Sequence, residues 1–457
     1  MNDIHSMEGK RIMETKMDFV NESTGRCFWM MFLPVMAAMF LNMAYNVVDS
    51  LWIGNLLGER AYAALTSSTP VILILNSIAM GATNGVAILV SQAIGAKDCK
   101  KTDGIIATSL IVAVAFALLV TILLELSLPM VLHVLNTPKE TWQLAKEYLS
   151  IYLLGYIAVY LYCYLTAVLR SFGNAVFQMA AMLVCTMLNA ILDPLFIRRM
   201  GFRGAAIATL LSQTICLAFM VIYMYRKKVI RLHIQEFRKG LIGEIIAKAV
   251  PSVIQQSIPA ISTAFLTSLV SSMGLCAIAA YGITGKLEII LFYPAMAINM
   301  VLTNIIGQCA GAKRSDREKE YLIYALKMGG ILLLLLSVGV VGFARPLSGL
   351  FLRSEDVAGI VAGYFLIVGA GYVLNPVTNC FLGALNGLGR PFKSMMLMVF
   401  YYILVRMPLA WILNHAGWGL DGIWTAVLIS HIVASIAAFY AGYTEIRKEA
   451  GTSAIID

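Results

Sequence analysis

Charged residues are scarce in this chain, and their scarcity excludes an ordinary soluble protein. Only 13% of the 457 residues are Asp, Glu, Lys or Arg, whereas 60% are hydrophobic. A soluble domain carries about 25% charged residues. In lipid, backbone polar groups must be satisfied within helices or closed barrels, and the apolar runs here are far longer than a barrel strand of roughly 10 residues. The composition therefore predicts an all-α membrane protein.

Motifs for catalysis, metal binding and nucleotide hydrolysis are also missing. The eight cysteines include no Cys-x-x-Cys pair, and the five histidines have no metal-ligand spacing. No GxxxxGK[ST] loop is present to hold the phosphates of ATP. We therefore expect no enzyme activity, no cofactor and no resident metal other than a possible coupling Na⁺. The net charge of +9 is dispersed over many loops, so we expect no nucleic-acid partner.

The chain contains, instead, an internal duplication. The segment QAIGAK at 92–97 returns as QCAGAK at 308–313, which is 308 − 92 = 216 residues later. Three glycines return at nearly the same interval: Gly58 as Gly274, Gly173 as Gly389 and Gly201 as Gly419. Two homologous halves in a membrane protein are typical of a transporter whose pathway lies at their interface.

Hydropathy predicts twelve apolar spans, six in each half. Each is long enough to cross a bilayer, which takes about 20 helical residues. The spans cover 28–57, 66–90, 105–131, 148–169, 176–197, 205–225, 247–272, 279–306, 321–344, 357–385, 392–413 and 423–443. The predicted fold is therefore twelve transmembrane helices in two pseudo-symmetric six-helix bundles with a central cavity between them.

Basic residues are concentrated in the loops on the side of the N-terminus, which predicts that both termini are cytoplasmic. We expect a monomer in the cell membrane, with membrane lipids and small organic substrates as its partners. The charged linker is expected to lie along anionic headgroups. The predicted parts are a cytoplasmic segment 1–26, an N-terminal bundle 27–225, the linker 226–246, a C-terminal bundle 247–443 and a cytoplasmic tail 444–457.

Asp49 is the first candidate for the chemistry of transport. It lies late in the first span, and apolar sequence continues past it. Ionisable residues inside spans are costly in lipid, and for that reason they are functional candidates. Asn42, Asn46 and Asp49 are spaced four and three residues apart, which places them on one helical face. The alternative is an interfacial aspartate whose carboxylate reaches water.

Asp193 is the second candidate and shares a helical face of the fifth span with Asn189. Both aspartates are expected in the outer half of the membrane, because both of their spans run outward. Carboxylate, amide and hydroxyl oxygens suit protons and alkali ions, so we predict a site for H⁺ or Na⁺. Thr209 and Gln213 of the sixth span either close this site or form ordinary interhelical hydrogen bonds. The alternatives are that Asp193 pairs with Arg198 or caps the helix at Pro194, where the proline is expected to bend or break it.

Further polar residues are spread over the spans of both halves. We expect them to line a substrate cavity or to form interhelical hydrogen bonds. They are Asn42, Asn46, Thr69, Asn76, Gln255, Gln256, Glu288, Asn375 and Asn379. Glu288 is the only acid well inside a second-half span, and we expect an interspan ion pair for it, with a role in coupling as the alternative.

Seven short motifs follow one another along the two halves. They are VDSLWIG at 48–54, VSQxxGA at 90–96, LRxxG at 169–173, LNxxLDP at 188–194, AYGI at 280–283, GQxxGA at 307–312 and GALNGxG at 383–389. In this order, over essentially the whole chain, they resemble the multidrug and toxic compound extrusion (MATE) family of the multidrug/oligosaccharidyl-lipid/polysaccharide exporter superfamily. The resemblance implies an antiporter of two six-helix bundles that exports organic, cationic compounds in exchange for H⁺ or Na⁺ by alternating access.

The resemblance also implies which residues bind the coupling ion. In the branch that couples through its N-terminal bundle, the matching residues are Asp49, Asn189, Asp193 and Thr209. Another branch uses acids in spans seven and ten, where this chain carries Gln255, Gln256, Asn375 and Asn379. The arginine usual in the family near span ten is Asn386 here. The alternative function within the superfamily is a flippase of lipid-linked oligosaccharides or other lipids.

Overall fold

The computed structural model describes residues 17–135, 137–226 and 236–456, which form helices joined by short turns and contain no strand. In this part of the chain, eleven helical segments are long and apolar enough to cross a membrane, and the last of them, Pro391–Lys448, has 58 residues. A single crossing takes about 20 residues, so this segment supplies two spans. The prediction of an all-α protein with twelve transmembrane helices is confirmed.

The twelve helices are labelled in chain order. The first six are α1 (Thr24–Leu57), α2 (Glu59–Gly95), α3 (Cys99–Val134), α4 (Lys139–Ser171), α5 (Ala175–Met200) and α6 (Phe202–Arg226). The second six are α7 (Leu241–Ser271), α8 (Leu275–Gly311), α9 (Ser315–Gly342), α10 (Glu355–Gly387), α11 (391–418) and α12 (Gly419–Ile456). A short helical turn, Ala344–Gly349, lies between α9 and α10. Residues 227–235 of the predicted linker and 1–16 of the predicted N-terminal segment lie outside the described residues.

The helix α11 departs from regular α-helical geometry. Its α-helical pieces, Pro391–Met398 and Met407–Leu413, alternate with π-helical pieces, Val399–Arg406 and Asn414–Trp418. A π-helical turn takes up an extra residue and is frequent at functional sites. Hydropathy gave no sign of this irregularity, because a π-turn and an α-turn bury apolar side chains equally well.

The predicted repeat is visible as duplicated turn geometry. Lys97 (φ 57°) and Lys313 (φ 56°) lie 313 − 97 = 216 residues apart and are the residues other than glycine with a positive φ in the described chain. A left-handed backbone costs a residue with a Cβ roughly 1 kcal/mol or more. The repeated glycines have matching φ values: Gly58 79° and Gly274 104°, Gly173 76° and Gly389 74°, Gly201 63° and Gly419 57°.

Contacts between residues divide the chain into two compact units. The first unit contains 33–90 and 98–249. The second contains 17–32, 91–97 and the chain from Val250 onward. The start of α1 and the end of α2 therefore belong with the second half of the chain. The domain boundaries predicted from the sequence, which were drawn at the ends of apolar spans, do not include this exchange.

The residues before α1 are held by α9 within the second unit. Arg317 Nη2 donates hydrogen bonds to the carbonyl oxygens of Glu22 at 2.5 Å and of Phe19 at 3.3 Å. The Tyr321 hydroxyl also donates to the Phe19 carbonyl oxygen, at 3.0 Å, and the Phe19 side chain is fully buried. The described part of the predicted N-terminal segment is thus an ordered cap on the second unit.

Candidate functional site

Two carboxyl groups meet inside the first unit. Asp49 of α1 is 7% exposed and Asp193 of α5 is fully buried, and their carboxyl groups lie within hydrogen-bonding reach of each other. The structure thus brings together the two aspartates that the sequence analysis singled out. Two bare carboxylates in contact repel each other, so such a pair holds a proton or a cation between its oxygens.

Amide and hydroxyl groups complete the surroundings of the pair. Asn189 Nδ2 donates to Asp193 Oδ1 at 2.9 Å, one helical turn away on α5. Among the described residues, four buried oxygens of this group have no hydrogen-bond partner: Asp49 Oδ1, Asp193 Oδ2, Asn189 Oδ1 and Thr209 Oγ1. Buried polar atoms are nearly always hydrogen-bonded, so a set of unpaired oxygens around two carboxyl groups indicates a site for a proton or a hard cation.

Tyr45 and Ser212 also belong to this site, and the sequence analysis missed them. The Tyr45 hydroxyl lies 3.3 Å from Ser212 Oγ and near Thr209. Ser212 Oγ in turn donates to the Thr209 carbonyl oxygen at 2.9 Å. Tyr45 precedes Asp49 by four residues, so helical spacing places it beside the carboxyl group. That spacing was the signal that could have found it.

The alternatives for the two aspartates do not describe the structure. Asp49 is too buried for an interfacial residue that reaches water. In the part of the chain that the structure describes, Asp193 has no ion pair within 4.0 Å with Arg198 or any other cation. The helix α5 continues through Pro194 to Met200, so it does not break at the proline, and a bend there stays a prediction.

Asn42 and Asn46 do not join the carboxyl pair. Both are exposed, whereas Asp49 on the same helix is buried. Asn46 Nδ2 donates to the Asn42 carbonyl oxygen at 2.8 Å. These two amides satisfy each other and the local backbone, and their assignment to a substrate cavity stays a prediction.

The polar seam of α2 is likewise separate from the aspartates. The Thr69 hydroxyl donates to the Leu65 carbonyl oxygen of its own helix at 2.9 Å. Asn76 is half-buried and lies within hydrogen-bonding reach of Tyr152 on α4. Asn76 therefore forms an interhelical contact, and a role of these residues in a substrate cavity stays a prediction.

In the second unit, the predicted amides form a short chain of contacts between α8 and α10. Asn299 Nδ2 donates to Asn379 Oδ1 at 3.4 Å, and Asn379 Nδ2 donates to Asn375 Oδ1 at 2.8 Å. Gln255 is 5% exposed, and its Oε1 has no hydrogen-bond partner within the described chain. Gln256 next to it is half-buried. Whether Gln255, Gln256, Asn375 and Asn379 contact a substrate stays a prediction.

Glu288 does not form the predicted interspan ion pair. Its Oε1 accepts hydrogen bonds from the hydroxyl groups of Tyr364 and Tyr372 on α10. Lys286 is exposed and its Nζ lies 5.2 Å from the centre of the Phe351 ring. The prediction failed because tyrosine hydroxyls can satisfy a buried carboxylate as well as a cation can, and a hydropathy pattern does not distinguish the two.

An open cleft of about 560 Å³ lies between the end of α1 and the start of α2, and the sequence analysis did not single it out. Residues that line it are Gly54, Gly58, Glu59, Tyr62, Ala63, Thr66 and Ser67. Glu59 and Tyr62 are both exposed. A carboxylate beside an aromatic ring is a combination that attracts organic cations.

The sequence matches a known family model and several known proteins. The MatE family model matches residues 34–195 and again 251–412, and the two matches begin 251 − 34 = 217 residues apart. The Bacillus subtilis protein "Probable multidrug resistance protein YpnP" is 26% identical over 421 residues, which are 89% of this chain and 92% of that protein. The Shewanella oneidensis protein "FAD transporter" is 25% identical over 438 residues, which are 94% and 96% of the two chains.

The fold is shared with solved structures. The structure described as "Crystal structure of MATE in the bent conformation" has a TM-score of 0.90 at 24% identity, and the match covers 95% of this chain and 98% of that one. The first match of the family model includes both Asp49 and Asp193, and the second repeats it over the other half of the chain. This multi-pass membrane protein belongs to the MatE family of multidrug and toxic compound extrusion transporters.

Proposed function

We propose that the chain is a secondary active antiporter of the cell membrane that exports organic, cationic compounds in exchange for H⁺ or Na⁺. The observation that carries this proposal is the contact between the buried carboxyl groups of Asp49 and Asp193. Such a pair is stable with a bound cation and unstable without one. A group with these two states can exchange one cation for another, which is what an antiporter requires.

The cation and the substrate compete for this pair in an alternating-access cycle. The coupling cation binds Asp49 and Asp193 from the outside and favours the inward-open state by its differential affinity for the two states. Asn189 holds Asp193 Oδ1 through its amide and leaves Oδ2 for the cation. After the cation leaves toward the cytoplasm, the negative carboxylates attract a cationic substrate, and export of that substrate resets the cycle.

Both coupling ions fit the oxygens of the site. A proton bridges Asp49 and Asp193 directly as a hydrogen bond. Na⁺ needs several hard oxygens, and Asn189 Oδ1 and Thr209 Oγ1 are buried oxygens that have no other partner in the described chain. The same atoms therefore support either ion, and the identity of the ion is a matter for measurement.

A cationic substrate is supported by the exposed Glu59 and Tyr62 in the cleft beside α1. The relative named as a multidrug resistance protein agrees with it. The relative named as an FAD transporter favours an anionic dinucleotide instead, and this is the second candidate. The basic loops support cytoplasmic termini, and we propose a monomer that has membrane lipids as its further partners.

The test is export from proteoliposomes loaded with a fluorescent organic cation. The wild-type chain is expected to export the dye under an imposed pH gradient or an imposed Na⁺ gradient, whichever ion couples. Asp49→Asn and Asp193→Asn should each abolish gradient-driven export while remaining folded in the membrane. The matched control is Asp356→Asn, because Asp356 is an exposed aspartate in the first turn of α10.

Each part of the proposal has its own contrary result. Export under neither gradient would contradict antiport and favour the flippase of lipid-linked oligosaccharides or other lipids. Wild-type export by both Asn variants would contradict the assignment of coupling to the carboxyl pair. Export of FAD but not of the dye, in the same vesicles, would contradict a cationic substrate while leaving ion coupling intact.

A further inference from the structure

A second carboxyl group inside a membrane span, Glu288 of α8, has an unusual set of partners in the second unit. Its Oε1 accepts hydrogen bonds from both Tyr364 and Tyr372, whose hydroxyl oxygens are 3.0 Å apart. Two hydroxyl donors on one oxygen favour an ionised carboxylate. Its Oε2 receives no hydrogen bond from the described protein, and the residue is half-buried. A proton can therefore be added at Oε2 without displacing either tyrosine.

A buried cation lies near this carboxyl group without pairing with it. Arg406, at the end of the π-helical piece of α11, is 6% exposed. Its Nε donates to Ser430 Oγ at 2.9 Å and its Nη2 donates to the Tyr401 hydroxyl. No ion pair within 4.0 Å joins it to Glu288 among the described residues. His431 and Tyr372 lie between them: Arg406 Nη2 is 3.3 Å from His431 Nε2, and the His431 ring centre is 5.5 Å from that of Tyr372, which donates to Glu288.

His431 of α12 is held in its neutral form by the same arginine. Arg406 Nη2 lies 3.3 Å from His431 Nε2, and His431 Nδ1 lies 3.0 Å from the Tyr401 hydroxyl. A guanidinium only donates hydrogen bonds, so Nε2 must be the acceptor and Nδ1 must carry the hydrogen. A protonated His431 would place two donors against each other. Among these groups, Glu288 is therefore the one whose protonation the contacts permit.

The surroundings of Glu288 contain few other charges. Among the described residues, the titratable groups around Glu288 are Tyr281 of α8, Tyr364 and Tyr372 of α10, Tyr401, Tyr402 and Arg406 of α11 and His431 of α12. The same elements and the short helical turn also carry exposed charged residues: Lys286, Arg345, Glu355, Asp356 and Asp421. Beyond Lys327, α9 has no titratable side chain. Glu288 and Arg406 thus set the net charge of the cluster.

We propose that Glu288 is a second proton-binding site of this transporter, located in the C-terminal half and separate from the Asp49–Asp193 pair. Burial among aromatic side chains disfavours a bare carboxylate, whereas Arg406 and the two tyrosines favour it. The two effects oppose each other, which leaves both protonation states accessible. A proton fits the site and Na⁺ does not, because no second carboxylate of the described chain contacts Glu288 and the buried Arg406 belongs to the same cluster.

Protonation of Glu288 changes the cluster from neutral to positively charged, because Arg406 then has no counter-charge. In a low-dielectric interior this change is felt over several ångströms. A proton bound in the C-terminal half therefore disfavours the binding of a cationic substrate there. Exchange of the proton for the substrate requires such competition. This consequence rests on the proposed antiport function, whereas the proton site itself does not.

Proton counting on the purified transporter in detergent tests the site without any transport. The protein is placed in dilute buffer with a pH indicator, and the protons that it releases are counted as the pH is raised from about 5.5 to the alkaline range. Exposed carboxyl groups do not contribute, because their ordinary pKa is about 4 and they are already ionised at the start. Glu288→Gln is expected to exchange one proton fewer per molecule than the wild type. Glu355→Gln, which removes an exposed acid in the first turn of α10, is expected to exchange the wild-type number.

An unchanged proton count in folded Glu288→Gln would overturn the proposal. So would a loss of one proton in His431→Gln but not in Glu288→Gln, since the site would then be the histidine. If Glu288→Gln does not fold, the double variant Tyr364→Phe/Tyr372→Phe replaces it. Removal of both donors should move the release of one proton to higher pH, and an unshifted release would equally overturn the proposal. If the wild type shows no gradient-driven export but still exchanges the proton that Glu288→Gln lacks, the result contradicts only the antiport function and not the proton site.

Discussion

Gly95 and the carbonyl oxygen of Gln308 meet at a distance that only a glycine permits. A Cβ built on Gly95 would lie 1.9 Å from that oxygen. The relationship is reciprocal, because a Cβ built on Gly311 would lie 2.0 Å from the carbonyl oxygen of Gln92. The ends of α2 and α8 therefore cross within the second unit through the two copies of the repeated motif, each glycine against the glutamine of the other copy.

Gly95→Ala and Gly311→Ala should each destabilise the protein strongly. Overpacking costs about 1–3 kcal/mol and occasionally more. The atom contacted here belongs to a backbone and cannot rotate away, so we expect the upper end of that range. The measurement is the apparent melting temperature of the purified protein in detergent, together with the yield of folded protein.

Gly330→Ala on α9 is the matched control, since nothing lies within 4 Å of a Cβ built there. Alanine is favoured over glycine inside a helix by up to about 1 kcal/mol, so this variant should melt at or above the wild-type temperature. Equal melting of Gly95→Ala and Gly330→Ala would show that the crossing is looser than described.

Lys97→Gly and Lys313→Gly should each stabilise the protein. Both lysines have a left-handed backbone, which costs a residue with a Cβ roughly 1–2 kcal/mol. Glycine removes that cost but loses more entropy on folding, so a net gain of about 0.5–1 kcal/mol is expected. Lys319→Gly inside α9 should instead lower the melting temperature, and a fall in all three variants would contradict the strain at the turns.

The repeat shows how much of this fold was predictable from the sequence. Each repeated glycine, and the lysine that ends each copy of the repeated motif, lies at a turn with a positive φ, because such turns demand glycine or tolerate few other residues. The twelve spans followed from the length of apolar runs. The exchange of 17–32 and 91–97 into the second unit was not predictable, because it depends on contacts between distant segments and leaves no periodic signal.

The two acids of the candidate site were predictable, because charged residues are rare inside the apolar spans and stand out there. Asp49 and Asp193 stood out because acids are costly in lipid, and the structure brings them together. Tyr45 did not stand out, because tyrosines are common in apolar spans and only its contact with Ser212 shows its place. Arg406 lies inside a predicted span, so its charge was visible in the sequence, but its contacts with Tyr401, Ser430 and His431 depend on the fold and were not predictable.

Asn189→Leu should distinguish the two coupling ions. Asn189 donates to Asp193 Oδ1, and a donor of this kind favours the ionised carboxylate. Its loss should favour a bound proton, so half-maximal export would move to higher pH by about one unit, as expected for roughly 1.4 kcal/mol. If Na⁺ couples, the loss of the ligand atom Asn189 Oδ1 should instead raise the Na⁺ concentration for half-maximal export about tenfold, which corresponds to the same ~1.4 kcal/mol.

Thr186→Val is the control on the same helix, because the Thr186 hydroxyl donates only to the backbone oxygens of Met182 and Leu41. Its ion dependence should match the wild type. An Asn189→Leu variant with the ion dependence of Thr186→Val would remove Asn189 from the site.

Arg317→Gln should release the segment that precedes α1. Its guanidinium donates to the carbonyl oxygens of Glu22 and Phe19 and to Thr24 Oγ1 at 3.0 Å, and hydrogen bonds from a charged group contribute about 1.5–3 kcal/mol each. Amide hydrogen exchange across 17–27 should accelerate by at least roughly tenfold, because local opening no longer breaks these bonds. Arg314→Gln removes only an exposed pair with Asp316 and should leave that exchange unchanged. If amide exchange across 17–27 in Arg317→Gln equals that of the wild type and does not depend on salt, the prediction is contradicted. The segment would then be held by the buried Phe19 side chain alone, because burial does not depend on charge.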